Sequence, residues 1–104
     1  MGEVRRQLGV FDWHREMLED ARQRYWETIW SNSRCRLGEG WKQKMAMHRF
    51  LGTERHHISG MNYACQKLEL LMRKPSVRKR FGKLYDERIA VLQALSQEAD
   101  MKLS

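Results

Sequence analysis

Lysine and arginine are concentrated in one short stretch of this sequence. Positions 73–83 hold six basic side chains and no acidic one. They are Arg73, Lys74, Arg78, Lys79, Arg80 and Lys83. The stretch straddles Pro75, and the following Ser76 is a residue type that caps helix N-termini. Because a helix N-terminus offers unpaired N–H groups and the positive end of the helix dipole, this arrangement predicts a phosphate-binding surface.

The basic charge is also segregated on the scale of the whole chain. Residues 34–83 carry thirteen basic and three acidic side chains, whereas the segments before and after them are each slightly acidic. Such a block predicts salt-sensitive binding to the phosphate backbone of DNA or RNA, largely indifferent to base sequence. The alternatives are a merely solvated helix tip, an acidic protein surface and an anionic membrane.

A second basic group surrounds Trp41. Its members are Arg34, Arg36, Lys42, Lys44 and Arg49, and we expect the first four to extend the phosphate-binding surface. An indole among cations can stack on an exposed base, which makes Trp41 a candidate contact. In the competing interpretation, Trp41 is the apolar anchor of a helix.

The sequence contains no convincing metal site. A zinc site would draw on Cys35, His48 and either His56 or His57, but structural zinc sites normally pair ligands two to five residues apart at both ends. The two adjacent histidines would also point about 100° apart on a helix. We therefore predict no metal ion.

Three carboxylates, Asp12, Glu16 and Asp20, share one helical face at intervals of four residues. Such a triplet could gather a divalent cation for nuclease chemistry. However, Arg24 follows Asp20 by four residues, which is the usual ion-pair spacing of a solvated helix face. Phosphate-loop, dinucleotide-binding and nucleophile-elbow motifs are all missing, so we predict no cofactor and no enzymatic activity.

Large aromatic side chains crowd the first part of the chain. Trp13, Trp26 and Trp30 cannot all share one apolar stripe of a helix, and a small core cannot easily bury them all. The surplus favours a protein-interaction face, and the competing interpretation is that these large side chains fill the core of a small protein. The alternative function is therefore an interaction module, an adaptor or inhibitor, and we also expect a homodimer.

Helical spacing predicts an all-α bundle. We expect a first helix capped by Asp12 and running to about Trp30, preceded by residues 1–9 as an extra helical turn or a loose arm. Its stripe repeats through Leu18 and Tyr25. Residues 31–40 have the composition of a loop.

The second half of the chain predicts three further helices. A short one runs from Trp41 to Leu51 and ends at Gly52, and Thr53 or Ser59 caps the next. The strongest pattern in the chain is the seam Ile58, Met61, Cys65, Leu68 and Met72. Proline at 75 ends that helix, and Ser76 caps a fourth, with Val77, Phe81, Leu84, Tyr85, Leu92 and Leu95 on its apolar face. So short a connection predicts an antiparallel αα-hairpin.

Length and composition set the remaining bounds. The 104 residues have room for one domain, and the lone proline with seven glycines is typical of a globular chain. No apolar run approaches a membrane-spanning length. Two cysteines without paired spacing favour reduced thiols and a cytoplasmic location. The hypothesis is a small non-catalytic factor, regulatory or accessory, that binds nucleic acid.

Overall fold

The described residues of the chain form three long helices. The computed structural model describes the backbone of residues 2–33 and 40–103, and the side chains of residues 2–27 and 44–100. Helix α1 spans Gly2–Ser33, α2 spans Gly40–Leu71 and α3 spans Pro75–Leu103. No strand occurs in the described ranges, so the predicted all-α class is confirmed.

Helix α1 begins earlier than the sequence pattern indicated. Residues 2–9 are helical, and Val4 and Leu8 are almost completely buried. Together with Phe11 and Leu18 they form a stripe at intervals of four, three and seven residues, which is the spacing of one helical face. The loose-arm alternative is therefore wrong. Asp12 lies inside the helix and does not cap it.

Helix α2 is continuous, so the predicted break at Gly52 is wrong. The buried side chains of Phe50 and Glu54 lie one turn apart on either side of Gly52 and fix both flanks of the glycine in the same packed face. A glycine inside a helix costs only about 1 kcal/mol relative to alanine, which is too little to end a helix held in this way. Thr53 and Ser59 are consequently interior residues rather than caps.

The seam predicted on α2 is confirmed. Met61, Cys65, Leu68 and Met72 are each at most 4% exposed, and Ile58 is half-buried. They divide between two core clusters. Met61 and Cys65 pack with Phe11, while Leu68 and Met72 pack with Val4, Leu8, Val77 and Phe81.

The turn between α2 and α3 occupies residues 72–74. The carbonyl of Lys74 accepts a hydrogen bond from the backbone N–H of Arg78 at 3.0 Å, so Lys74 is the N-cap and Pro75 the first helical residue. The predicted cap at Ser76 therefore lies two residues after the actual N-cap. The packing of Leu68 and Met72 against Val77 and Phe81 is compatible with the predicted antiparallel hairpin.

One member of the predicted α3 stripe lies at its edge. Leu84 is 39% exposed, although Val77, Phe81 and Leu92 are buried. The side chain of Arg88, one turn later, occupies the space between α3 and α1 and bonds to the Leu84 carbonyl.

Two ion pairs show how α1 and α3 are aligned. The guanidinium of Arg88 donates to both carboxylate oxygens of Asp12, at 3.1 and 2.8 Å, and Arg22 donates to Glu98 at 3.1 Å. Both pairs join residues 76 positions apart, so these two helices run in the same direction.

In the described part of the chain, no helix combines the length and the apolar character needed to cross a membrane.

Candidate nucleic-acid interface

The end of the bundle where α2 meets α3 carries the six basic residues of positions 73–83. We call this surface the basic tip. All six side chains are exposed. Lys74 lies in the turn, and Arg78, Lys79, Arg80 and Lys83 lie in the first two and a half turns of α3. The first turn of α3 contains no acidic residue to offset them.

Local contacts hold part of this charge. The Arg78 guanidinium lies 3.9 Å from the Asp86 carboxylate, a loose and exposed ion pair. The guanidinium of Arg80 lies 5.3 Å from the ring centroid of Phe81, and the Phe81 ring is itself buried in the core. Exposed pairs of this kind contribute about 0–1 kcal/mol, so Arg78 can exchange Asp86 for another anion at little cost.

The start of α1 adds two arginines to the basic tip. Val4 and Leu8 pack in the same cluster as Val77, which places the neighbouring exposed side chains of Arg5 and Arg6 at this end of the bundle. Glu3 lies 3.8 Å from Arg6 and offsets part of the charge. These two arginines were not predicted, because the sequence pattern did not decide between a helical turn and a loose arm for residues 1–9.

The second basic group lies elsewhere. Lys44 and Arg49 are exposed on the first half of α2. Lys44 precedes Arg73 by 29 residues, which corresponds to about 40 Å along a helix. The structure therefore separates Lys44 from the basic tip instead of extending it. Arg34 and Arg36 fall outside the described residues, and so do the side chains of Lys42 and Trp41.

The two tryptophans of α1 whose side chains are described, Trp13 and Trp26, do not form one patch. Trp13 and Trp26 are 52% and 54% exposed. Thirteen residues separate them, which leaves their side chains about 140° apart around the helix. Trp26 lies beside Tyr25, whose ring stacks on Phe50 at 4.8 Å. The side chain of Trp30 lies outside the described set.

A groove between α1 and α2 opens next to Tyr25. Its volume is about 570 Å³, and it is lined by Met17, Met45 and Phe50 together with the aromatic ring of Tyr25. Arg49 also lines it. The groove combines an apolar floor with a cation, which is a common composition for a peptide-binding surface.

Histidines from two helices meet in the middle of the bundle. The Nδ1 atoms of His14 and His57 lie 2.9 Å apart, and the ring of His56 lies 6.0 Å from that of His14. The edge of Trp13 contacts the rings of His14 and His57 at centroid distances of 4.9 and 5.9 Å. Among the side chains that the structure describes, no group of three or more potential ligands is arranged to hold a metal ion.

A glycine makes this histidine contact possible. A Cβ atom at position 60 would lie 2.3 Å from Nε2 of His14, so the imidazole occupies the space that a side chain would fill. An interior glycine in a strongly periodic helix is the one sequence signal that could have indicated a close approach here. It does not identify the residue that approaches.

The remaining candidate chemistry is engaged in structural contacts. Asp12 is held by Arg88, and the carboxylate of Asp20 pairs closely with Arg24, so two of the three carboxylates in the acidic triplet are in ion pairs. Cys65 is buried, and burial raises the pKa of its thiol to about 11 despite the opposing charge of Arg88. A thiol with such a pKa is a poor nucleophile at neutral pH.

The comparisons with known proteins give no further guidance. No protein-family model matches this chain, and neither a curated protein nor a solved structure gives a significant match.

Proposed function

We propose that this protein is a small non-catalytic factor that binds nucleic acid through its phosphate backbone. The observation that carries the proposal is the basic tip. Six exposed cations surround one helix N-terminus, and Arg5 and Arg6 of α1 lie at the same end of the bundle. Closely spaced cations that each neutralise a phosphate release condensed counterions, which is the main source of sequence-independent affinity.

The shape of the molecule supports contact at one end. The principal extents are 61 × 25 × 16 Å, so the basic tip is the narrow end of an elongated body. The cations at this end can approach a nucleic-acid backbone while acidic side chains such as Glu98 and Asp100 stay near the far end of α3. Those carboxylates are then too distant to repel the phosphates strongly. A regulatory or accessory role is consistent with binding through a terminal surface.

The salt dependence of binding tests the proposal. Affinity for any duplex or single strand of adequate length should fall steeply with salt, with a slope of log K against log salt of about −0.9 per duplex phosphate contacted and about −0.7 on single strands. Replacing Lys74, Lys79 and Lys83 with alanine should flatten that slope by about two to three units and weaken all sequences about equally.

A matched variant controls for net charge. Replacing Lys44, Arg49 and Arg55 with alanine also removes three exposed cations, but from the far half of α2. This variant should keep nearly the whole slope. Equal losses in the two variants would show that the basic tip has no special role. Absence of any binding to DNA or RNA at about 50 mM salt, with the protein folded by circular dichroism, would contradict the proposal.

A second candidate function is docking of a partner protein on α1. The exposed Trp26 beside the apolar groove favours it, since aromatic side chains dominate interface energetics. In that case Trp26→Ala or Trp13→Ala should abolish partner binding. The triple lysine variant of the basic tip would then change mainly the association rate.

A further inference from the structure

Helix α2 carries an unpartnered stripe that leads to the basic tip. Tyr63, Lys67 and Leu70 follow one another at intervals of four and three residues, so they lie on one helical face. We call them the outer stripe. Tyr63 is 60% exposed and Leu70 is 58% exposed, the highest values among the large apolar side chains that the structure describes. Neither side chain contributes to the core.

The outer stripe combines an aromatic ring with a cation. The Nζ atom of Lys67 lies over the Tyr63 ring, 4.7 Å from its centroid, so a stacking base must take the opposite face or displace the ammonium group. A nucleotide bound here would place its phosphate near the ammonium group and its base near the ring. Aromatic rings beside lysines are how proteins contact unpaired bases without reading their sequence.

The distance from the outer stripe to the basic tip can be spanned by one continuous nucleic-acid strand. Leu70 lies three residues before Arg73, and Tyr63 lies ten residues before it, which corresponds to about 15 Å along a helix. A strand whose phosphates contact the basic tip can therefore continue along α2 and reach Tyr63 within a few nucleotides.

We infer that the outer stripe binds unpaired bases, with Tyr63 as the stacking residue, and that the preferred ligand is single-stranded nucleic acid. This inference rests on the proposed function. The bases of a duplex are stacked on one another and expose only their edges, so the Tyr63 ring has no base face to cover there. Duplexes then bind through the basic tip alone.

The experiment compares three ligands of equal length at one salt concentration: a single-stranded oligonucleotide, the same strand with abasic sites throughout, and the duplex. The abasic strand keeps every phosphate and removes the bases. Tyr63→Leu should weaken binding of the ordinary single strand by at least about fivefold, whereas Tyr63→Phe should keep it because stacking does not need the hydroxyl group. Both variants should bind the abasic strand and the duplex within about twofold of the unmodified protein.

Trp26→Leu supplies the matched control. Trp26 is similarly exposed but lies on α1, away from the outer stripe, and its replacement should leave binding of all three ligands unchanged. Equal losses for Tyr63→Leu on the ordinary and the abasic strand would overturn the inference, and so would unchanged binding to both. In either case the proposed function would stand. If the unmodified protein binds none of the three ligands, the proposed function fails and the inference fails with it.

Discussion

The Nδ1 atom of His14 on α1 lies 2.9 Å from the Nδ1 atom of His57 on α2. Two imidazole nitrogens at this distance share one proton, because one ring must donate and the other must accept. When both rings are charged, two N–H groups face each other and the contact is lost. From α3, the charged side chain nearest this level is Arg88, which is held by Asp12 on another side of α1.

Stability should therefore depend on pH through these two histidines. Burial, and next the charge of His56, lowers the pKa of His14 below its ordinary 6.5. Burial also lowers the pKa of His57, followed by the charges of His14 and His56. The unfolded chain consequently takes up protons first as the pH falls. The two neutral imidazoles make their full contribution to the free energy of unfolding above pH 6.5. That contribution is lost as the pH falls through the lowered pKa values of His14 and His57 in the folded protein.

Urea unfolding at pH 7.5 and pH 5.0 checks this expectation. The free energy of unfolding should be smaller at the lower pH. In the His14→Gln, His57→Gln double variant the difference between the two pH values should shrink, because the two imidazoles whose pKa values the fold lowers are gone. An equal difference in both proteins would show that the contact does not respond to protonation.

Alanine should have opposite effects at the two interior glycines Gly60 and Gly52 of α2. In Gly60→Ala the new Cβ would force the His14 ring away, and overpacking of this kind costs about 1–3 kcal/mol. In Gly52→Ala the Cβ meets nothing within 4 Å, so the better helix propensity of alanine should stabilise the protein by about 0.5–1 kcal/mol. Thermal unfolding of the two variants measures the contrast. Stabilisation by Gly60→Ala would show that His14 does not pack there.

Two leucines on α2 test the predicted seam. Leu68 is completely buried, and Leu68→Ala should lower the free energy of unfolding by about 2–5 kcal/mol. Leu70→Ala removes the same atoms from an exposed position, and its effect should stay within about 0.5 kcal/mol. Urea denaturation of both variants decides the matter. A loss below about 1 kcal/mol for Leu68→Ala would contradict the core assignment.

Self-association is expected from the apolar surface of the molecule. Trp26, Met45 and Met47 are 54%, 46% and 42% exposed, and such side chains are typical of protein contacts. Light scattering at micromolar concentration should return a mass above the 12.5 kDa of one chain, and Trp26→Ala should lower it. A mass of one chain across the whole concentration range would contradict the expected homodimer.

Local patterns in the sequence were enough to predict the helical class, the buried seam and the turn near Pro75. Each depends on residues within one or two turns of each other, since spacing of three and four residues decides which side chains share a face. The same local reasoning failed at Gly52 and at residues 1–9. There, burial against distant helices outweighed the signals of a break and of a loose arm.

The candidate interface was predictable only in part. The six cations at positions 73–83 lie close enough together to be recognised in the sequence, and all six side chains are exposed in the structure. Their use for phosphate binding stays a prediction. The outer stripe was not predicted, because exposure of Tyr63 and Leu70 depends on which faces of α2 the other helices cover.

By itself, then, the sequence determined what repeats along each helix, and the tertiary structure decided which helices meet and in what register. Arg5 reaches the basic tip, Lys44 lies far from it and His14 meets His57 because α1, α2 and α3 align at particular offsets. Those offsets follow from how large side chains such as Phe11 and Met61 fill the shared core. Packing of this kind is a property of all three helices together, and no short stretch of sequence contains it.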